Sequence, residues 1–191
     1  LGQSRGGMML FNWAPEHPRD VGCMAGIYPV TNLAGWPDLG GEKIQQAYDM
    51  SETELRKHLA KISPIERLAP LARAHVPLFL IHGDADTVVP LTENTLEFSR
   101  RYSALGGKVD VEVVHGKGHE EVPEFFHSQS LLEFLLQFLD AGDLKFHAHK
   151  QNAQAVGESG SVAADVVGHL VCRQIHESEL ITNHSFTHRD R

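Results

Sequence analysis

The chain has 191 residues, of which 41% are hydrophobic, and this length and composition suit one globular domain. Its formal net charge is −8, which argues against nucleic acid or an anionic membrane as a partner, because both select basic surfaces. Its apolar runs stay below the roughly 18 residues of a membrane span. Cys23 and Cys172 lie in unlike segments far apart, so we expect no disulfide framework and assign no cellular compartment.

The N-terminal segment combines a glycine-rich turn with two apolar elements. The turn is Gly2-Gln3-Ser4-Arg5-Gly6-Gly7, which we call the elbow. Residues 7–16 are apolar over most of the circumference of a helix, which predicts a buried helix ending before Pro18. Residues 21–30 form a near-continuous apolar run, a pattern typical of a parallel strand covered on both faces.

Residues 31–75 predict an insertion made mostly of helices. Ser51 and Ser63 are each followed three residues later by Glu, which is the pattern of a capping box at a helix start. We expect these helices to form a small cap over a site. Trp36 either lines a substrate pocket there or packs inside the cap.

The second half of the chain alternates strands and helices until about residue 142. Strands are predicted at 77–81 and 108–114, and helices at 92–105 and 128–139. This alternation indicates an α/β fold with a parallel sheet. Residues 143–191 predict an irregular, mostly disordered tail.

Six of the 13 histidines lie in this tail, and two pairs have spacings that would suit a metal: His147 with His149, and His184 with His188. No cysteine or acidic pattern completes a recognisable metal site beside them. We therefore predict no metal and no organic cofactor.

Three segments carry residue types that suit nucleophilic catalysis. A serine hydroxyl needs a base within hydrogen-bond reach, and the base needs an orienting acid. Ser4 in the elbow is the candidate nucleophile, and Asp86 after the strand 77–81 is the candidate acid, with Asp84 as its rival. His119 is the candidate base, with His115 as its rival. The chain order Ser, Asp, His is the order found in α/β-hydrolases.

The residues around Ser4 have their own predicted roles. The backbone N–H of Arg5 is a natural oxyanion donor because it follows the nucleophile. Gly2 and Gly6 would let neighbouring backbone approach, and Gly7 would let the helix pack close to the sheet. The elbow on its own is equally consistent with a glycine-rich turn without chemistry. His82 is expected to support the acid loop rather than to react.

Residues 1–142 resemble the C-terminal half of an α/β-hydrolase, close to prolyl-oligopeptidase-like and dienelactone-hydrolase-like esterases. Three motifs carry the resemblance: the elbow, His82-Gly83-Asp84-Ala85-Asp86-Thr87-Val88-Val89-Pro90, and Gly116-Lys117-Gly118-His119. The resemblance implies Ser4 as nucleophile, Asp86 as acid and His119 as base.

The same resemblance implies that the chain holds the last three strands of the sheet. The first five strands and the loop that gives a second oxyanion N–H would lie outside it. The strand at 21–30 would then be an unpaired edge through which the protein associates. The implied function is a serine hydrolase that acts on small carboxylic esters through an acyl-enzyme. The alternatives are a prolyl-oligopeptidase-type peptidase and a catalytically inactive fragment.

Overall fold

The computed structural model describes residues 1–138, and these residues contain a parallel four-stranded sheet. The strand order equals the sequence order, and each strand pairs in parallel with the next. The strands are β1 (Gly2–Gln3), β2 (Met24–Ile27), β3 (Leu78–Gly83) and β4 (Val109–Val114). The predicted α/β class with a parallel sheet and flanking helices is confirmed.

Two sequence predictions about the sheet are corrected by β1. The described sheet has four strands rather than three, because Gly2 and Gln3 pair with Gly26 and Ile27 of β2. The predicted strand at 21–30 is therefore not an unpaired edge along its whole length. A two-residue strand shows no alternation of apolar and polar residues, so periodicity had no means of detecting it. Association through the sheet edge stays a prediction.

Helix α1 (Ser4–Trp13) begins at the serine itself, three residues before the predicted start. The insertion contains α2 (Glu42–Tyr48), α3 (Glu52–Lys57), α4 (Leu59–Ile62) and α5 (Ala69–Arg73), with short 3₁₀ turns before α2 and between α4 and α5. After β3 come α6 (Glu97–Ala104), which a π-helical turn at Thr92–Leu96 precedes, and α7 (Pro123–Phe126).

The two predicted capping boxes have different outcomes. Ser51 forms one at the start of α3, since its hydroxyl accepts from the Glu54 N–H while Glu54 accepts from the Ser51 N–H. Ser63 does not, because its hydroxyl accepts from the backbone N–H of Leu33 at 3.1 Å instead. Ser63 is buried, so a contact from elsewhere in the insertion competes for its hydroxyl.

A continuous apolar core joins β2 and β3 to three helices. Met24, Leu78 and Leu80 contribute from the strands, and they pack with side chains of α1, α5 and α6. The helical members include Phe11, Leu71, Ala72, Phe98 and Tyr102. Phe11 and Phe98 meet edge to face, with ring centroids 5.1 Å apart. This core fixes the strands whose ends carry the polar residues described below.

A second apolar core packs the helical insertion against α1 and against the segments that follow β2 and β3. Leu33, Trp36, Leu39, Ile44 and Leu55 of the insertion pack with Met8, Val30 and Val89. Trp36 is only 4% exposed, so its side chain packs inside the insertion instead of projecting from its surface. That the insertion covers a substrate site stays a prediction, as does the boundary of the catalytic domain at residue 142.

Residues Leu1–Phe125 form one compact unit, and helix α8 (Gln129–Leu136) belongs to a second unit that starts at Phe126. The Ser128 hydroxyl caps α8 by accepting from the Leu131 N–H at 3.1 Å. Leu131, Leu132, Phe134 and Leu135 of this helix are buried, which matches the predicted apolar helix. No helix within residues 1–138 is both long enough and apolar enough to cross a membrane. The predicted tail at 143–191 lies outside the described residues.

Gly83, the last residue of β3, lies where another chain segment crosses the strand. A Cβ placed on Gly83 would lie 2.1 Å from the carbonyl oxygen of Lys117. The Ala85 N–H donates to that same oxygen at 3.0 Å, so the crossing is held by a backbone hydrogen bond as well. A side chain at position 83 would therefore push the two segments apart.

We predict that Gly83→Ala lowers the free energy of unfolding by about 1–3 kcal/mol, the usual range for overpacking. Urea unfolding followed by circular dichroism measures this change. Gly22→Ala is the matched control, because a Cβ at Gly22 meets nothing within 4 Å. Equal stability of the two variants would contradict the close crossing.

Candidate active site

Ser4 occupies a sharp turn between β1 and α1. Its φ of +48° lies in the left-handed region, which residues with a side chain seldom adopt. The Ser4 carbonyl accepts from the Val30 N–H at 3.0 Å, which ties the turn to the chain that follows β2. This strand–turn–helix geometry is the one that a nucleophile elbow requires.

Close contacts explain two of the three elbow glycines. A Cβ on Gly2 would lie 2.7 Å from the Cα of Gly7, and a Cβ on Gly7 would lie 2.5 Å from the Cβ of Pro29. These distances confirm the expected close approach at both positions. A Cβ on Gly6 would meet nothing within 4 Å, so the predicted role of Gly6 is wrong.

Arg5 is the second residue of α1. Its backbone N–H is therefore among the first-turn N–H groups that a helix leaves without an intrahelical acceptor. The positive end of the helix dipole lies at the same turn. An anion that formed beside Ser4 would meet a favourable field there.

The three residues predicted from the sequence come together in one hydrogen-bonded line. The Ser4 Oγ lies 2.8 Å from His119 Nε2, and His119 Nδ1 lies 2.7 Å from Asp86 Oδ2. The side chain of Asp86 is fully buried, whereas that of His119 is 18% exposed. The line thus runs from a buried carboxylate to a partly accessible imidazole and serine.

Asp86 accepts hydrogen bonds at both carboxylate oxygens. Its Oδ1 accepts from the backbone N–H groups of Val88 and Val89 at 2.9 and 2.8 Å. Its Oδ2 lies 2.7 Å from His119 Nδ1 and 3.3 Å from His82 Nε2. Burial raises the pKa of Asp86, but the hydrogen bonds from His119, His82 and the Val89 N–H outweigh it and hold the pKa below its usual range. Asp86 is therefore ionised at neutral pH.

His82 supports the loop that carries Asp86, as the sequence predicted. It is fully buried, and its Nε2 lies 2.8 Å from the carbonyl oxygen of Val89. A carbonyl only accepts, so Nε2 carries a proton. In the neutral ring, Nδ1 then accepts from the Thr95 hydroxyl at 2.7 Å. This tautomer directs the Nε2–H towards both Val89 and Asp86.

The rival residues Asp84 and His115 pair with each other. Asp84 Oδ2 lies 2.8 Å from His115 Nδ1, and Asp84 Oδ1 accepts from the Gly116 N–H at 2.7 Å. The hydrogen bonds from His115 and Gly116 lower the pKa of Asp84. His115 is 88% exposed, so this pair lies at the surface and joins the two loops that carry Asp86 and His119.

Residues 115–122, which we call the base loop, cross the sheet from β4 to β1. Lys117 lies over Gly83 at the end of β3, where its carbonyl accepts from the Ala85 N–H. The ring of His119 lies against Tyr28 at the end of β2, with centroids 4.5 Å apart. Glu121 accepts from the side chain of Gln3 in β1 at 3.2 Å.

Sequence reasoning missed Gln3 and Tyr28. The Tyr28 hydroxyl accepts from Gln3 Nε2 at 2.7 Å, so both side chains lie beside the Ser4–His119 pair. Tyr28 lies within the apolar run at 21–30, although it carries a polar hydroxyl near the end of this predicted parallel strand. Such ends gather the functional residues of open α/β sheets, and this position was the available signal.

The comparison with protein families agrees with this geometry. The family model described as "Prolyl oligopeptidase family" matches residues 1–142. The chain belongs to the prolyl oligopeptidase family. The family is one of serine hydrolases, which confirms the resemblance found in the elbow and in the two later motifs.

Several solved structures share the fold of this chain at low sequence identity. A Bacteroides ovatus protein described as a dipeptidyl aminopeptidase IV matches with a TM-score of 0.58 and 17% identity over 72% of this chain and 19% of its own. Porphyromonas gingivalis dipeptidyl peptidase 4 matches with a TM-score of 0.57 and 18% identity over 70% and 18%. Pyrococcus horikoshii acylaminoacyl peptidase matches with a TM-score of 0.53 and 21% identity over 72% and 23%.

This chain thus spans 18–23% of the length of those three structures. No curated protein matches it in sequence. Within residues 1–138, no group of three His, Cys, Asp or Glu side chains is arranged to hold a metal ion. The four tail histidines considered above lie outside that part of the chain.

The hydrogen bonds of Asp86 predict a pH dependence of stability. Since its pKa is lower in the folded state than the ~3.9 of an unfolded Asp, its ionised form stabilises the fold above pH 4. That contribution is lost as the pH falls from about 4 through the lower folded value. We expect Asp86→Asn to lose less stability than the unsubstituted chain between pH 6 and pH 3.

Urea unfolding midpoints at the two pH values measure this difference. Asp110→Asn is the control, because Asp110 is exposed on β4. If the loss of stability in acid is the same in Asp86→Asn as in the unsubstituted chain, the pKa of Asp86 is not lowered in the folded state and the prediction is wrong.

Proposed function

We propose that this protein is a serine hydrolase of carboxylic esters, in which Ser4 is the nucleophile, His119 the base and Asp86 the orienting acid. The observation that carries the proposal is the unbroken line from Ser4 Oγ through His119 to Asp86, with contacts of 2.8 and 2.7 Å. Both distances lie within the reach that proton transfer and orientation require.

Because Asp86 is ionised, the position of each proton along this line follows from which atoms can donate. A carboxylate only accepts, so His119 carries a proton on Nδ1 and donates it to Asp86 Oδ2. Its Nε2 is then free to accept the hydroxyl proton of Ser4. As Ser4 Oγ attacks an ester carbonyl, that proton moves to Nε2, and His119 becomes an imidazolium beside the Asp86 carboxylate.

The reaction then proceeds in two balanced halves. His119 returns the proton to the leaving alcohol as the carbon–oxygen bond breaks, which leaves an acyl group on Ser4. Water, deprotonated by His119, attacks the acyl carbonyl and releases the acid while Ser4 regains its proton. The negative oxygen of each tetrahedral intermediate would accept from the backbone N–H of Arg5 at the start of α1.

Peptide hydrolysis is the second candidate function, and the family match favours it. The three structural neighbours are all named as peptidases, although at their low identity they share only the fold with this chain. A peptide p-nitroanilide and a p-nitrophenyl ester with the same acyl group separate the two candidates. Cleavage of the ester alone supports an esterase, and cleavage of both supports a peptidase.

We predict that a fluorophosphonate probe labels Ser4 and that Ser4→Ala abolishes the labelling. Peptide mass spectrometry identifies the labelled residue. Ser103→Ala is the control, because Ser103 is an exposed serine of α6. Labelling that persists in Ser4→Ala would end the assignment of the nucleophile. No labelling of the unsubstituted chain would instead support a catalytically inactive form.

We also predict that Asp86→Asn lowers the rate of Ser4 acylation by about 10⁴, because an asparagine amide favours the wrong tautomer of the histidine. Asp84→Asn is the matched control two residues away. It should cost far less, since the amide oxygen of the substituted side chain can still accept from the Gly116 N–H. Stopped-flow measurement of p-nitrophenol release from an activated ester compares the two. Larger loss in Asp84→Asn would reverse the choice of acid.

A further inference from the structure

Gln3, which precedes Ser4, and Tyr28, which follows β2, are hydrogen-bonded to each other beside the ring of His119. We propose that Tyr28, held in place by Gln3, is a positioning residue that sets the orientation of the His119 imidazole. The inference deepens the proposed function and rests on it, since it concerns the same base.

The strand order creates the need for such a support. Ser4 follows β1, whereas His119 follows β4, and β2 and β3 lie between them. At about 4.8 Å between neighbouring strands, the base starts roughly 14 Å from its nucleophile across the sheet. The base loop bridges this gap without any helix or strand of its own between β4 and α7. Side-chain contacts must therefore hold His119 beside Tyr28 at the end of β2, two strands away from β4.

The two hydrogen bonds of His119 do not restrain every rotation of its ring. One joins Nε2 to Ser4, and the other joins Nδ1 to Asp86. Tilting the ring about the line through these nitrogens hardly lengthens either bond. A group packed against the ring resists this tilt, and Tyr28 supplies it, with centroids 4.5 Å apart and ring planes inclined by 54°.

Tyr28 is itself fixed from several sides. Tyr28 as a whole is 1% exposed, and its ring contacts the ring of Phe125 edge to face, with centroids 5.0 Å apart. Its hydroxyl accepts from Gln3 Nε2 at 2.7 Å, and its backbone N–H donates to the Ile81 carbonyl at 2.7 Å. The support is rigid because ring, hydroxyl and backbone are all held.

Gln3 connects this support to the nucleophile and to the base loop. It lies directly before Ser4, and its Nε2 donates both to the Tyr28 hydroxyl and to Glu121 Oε1, at 2.7 and 3.2 Å. One amide group therefore links β1, β2 and the base loop. Any shift of the base relative to Ser4 would stretch one of these contacts.

The Tyr28 hydroxyl stays protonated and helps to hold the ring through its hydrogen bond with Gln3. Burial raises the pKa of Tyr28 to about 12, although the hydrogen bond from Gln3 opposes this rise. The hydroxyl is thus neutral at any pH where the enzyme would operate. Its ring also offers π electrons to the imidazolium that forms on His119 during each half-reaction.

The test compares Tyr28→Leu with Tyr28→Phe, which keeps the ring and removes only the hydroxyl. Misplacement of a catalytic group by about 1 Å costs about 100-fold. We therefore expect Tyr28→Leu to slow fluorophosphonate labelling of Ser4 by about 10- to 100-fold, and Tyr28→Phe by about threefold or less. For ester substrates the loss should appear in kcat, with KM unchanged. Tyr102→Leu and Tyr102→Phe are matched controls, since Tyr102 is also buried and its hydroxyl donates to the Val76 carbonyl.

A spectroscopic readout separates positioning from general destabilisation. The His119 Nδ1 proton, which Asp86 accepts, should give a downfield proton resonance in the unsubstituted chain and in Tyr28→Phe. It should broaden or vanish in Tyr28→Leu while both Tyr102 variants retain it. If Tyr28→Leu does not fold, nuclear Overhauser contacts between the rings of Tyr28 and His119 in the unsubstituted chain decide the question.

Labelling of Tyr28→Leu at the unsubstituted rate, with the downfield resonance retained, would overturn the positioning role and leave the proposed hydrolase intact. Absence of the ring-to-ring Overhauser contact would overturn it as well. Failure of the unsubstituted chain to label at Ser4 would instead sink the proposed function, so the two failures are distinguishable.

Discussion

Parallel pairing is the constraint on which the rest of this structure depends. Because all four described strands run the same way, the turns after β1, β2, β3 and β4 open at one edge of the sheet. Ser4, Tyr28, Asp86 and His119 each follow a different strand, so all four residues lie at this edge. Short turns after β1, β2 and β3 and one long crossing, the base loop, are therefore enough to bring these four residues together.

Asp86 shows how stability and chemistry use the same contacts. A buried carboxylate without partners would be costly, since burial alone raises its pKa. Two backbone N–H groups, His82 and His119 reverse this effect, and each of them also restricts where the carboxylate points. Because the acid can hardly turn, the imidazole that donates to it is directed at Ser4. The fully buried His82 therefore also restrains His119, through its contact with Asp86.

Local patterns predicted the strands, the main helices and the motifs around Ser4, Asp86 and His119, because each apolar run and each motif is formed by residues that are neighbours in sequence. The features they missed depend on distant partners. Gln3 and Glu121 are separated by 118 positions, so nothing near either residue reveals their contact. Ser63 has a capping pattern, yet its hydroxyl bonds to Leu33, 30 positions away. The two-residue strand β1 is defined by pairing alone.

The path of the base loop bears on how this protein tolerates change in length. Lys117, His119 and Glu121 reach β3, β2 and β1 in turn, so two residues serve each strand spacing of about 4.8 Å. Two extended residues span at most about 7 Å, which leaves little slack. Surface loops usually accept insertions and deletions. A single residue added or deleted between 117 and 121 would displace every later side chain of the base loop by about half a strand spacing, so we expect this loop to tolerate changes in length poorly.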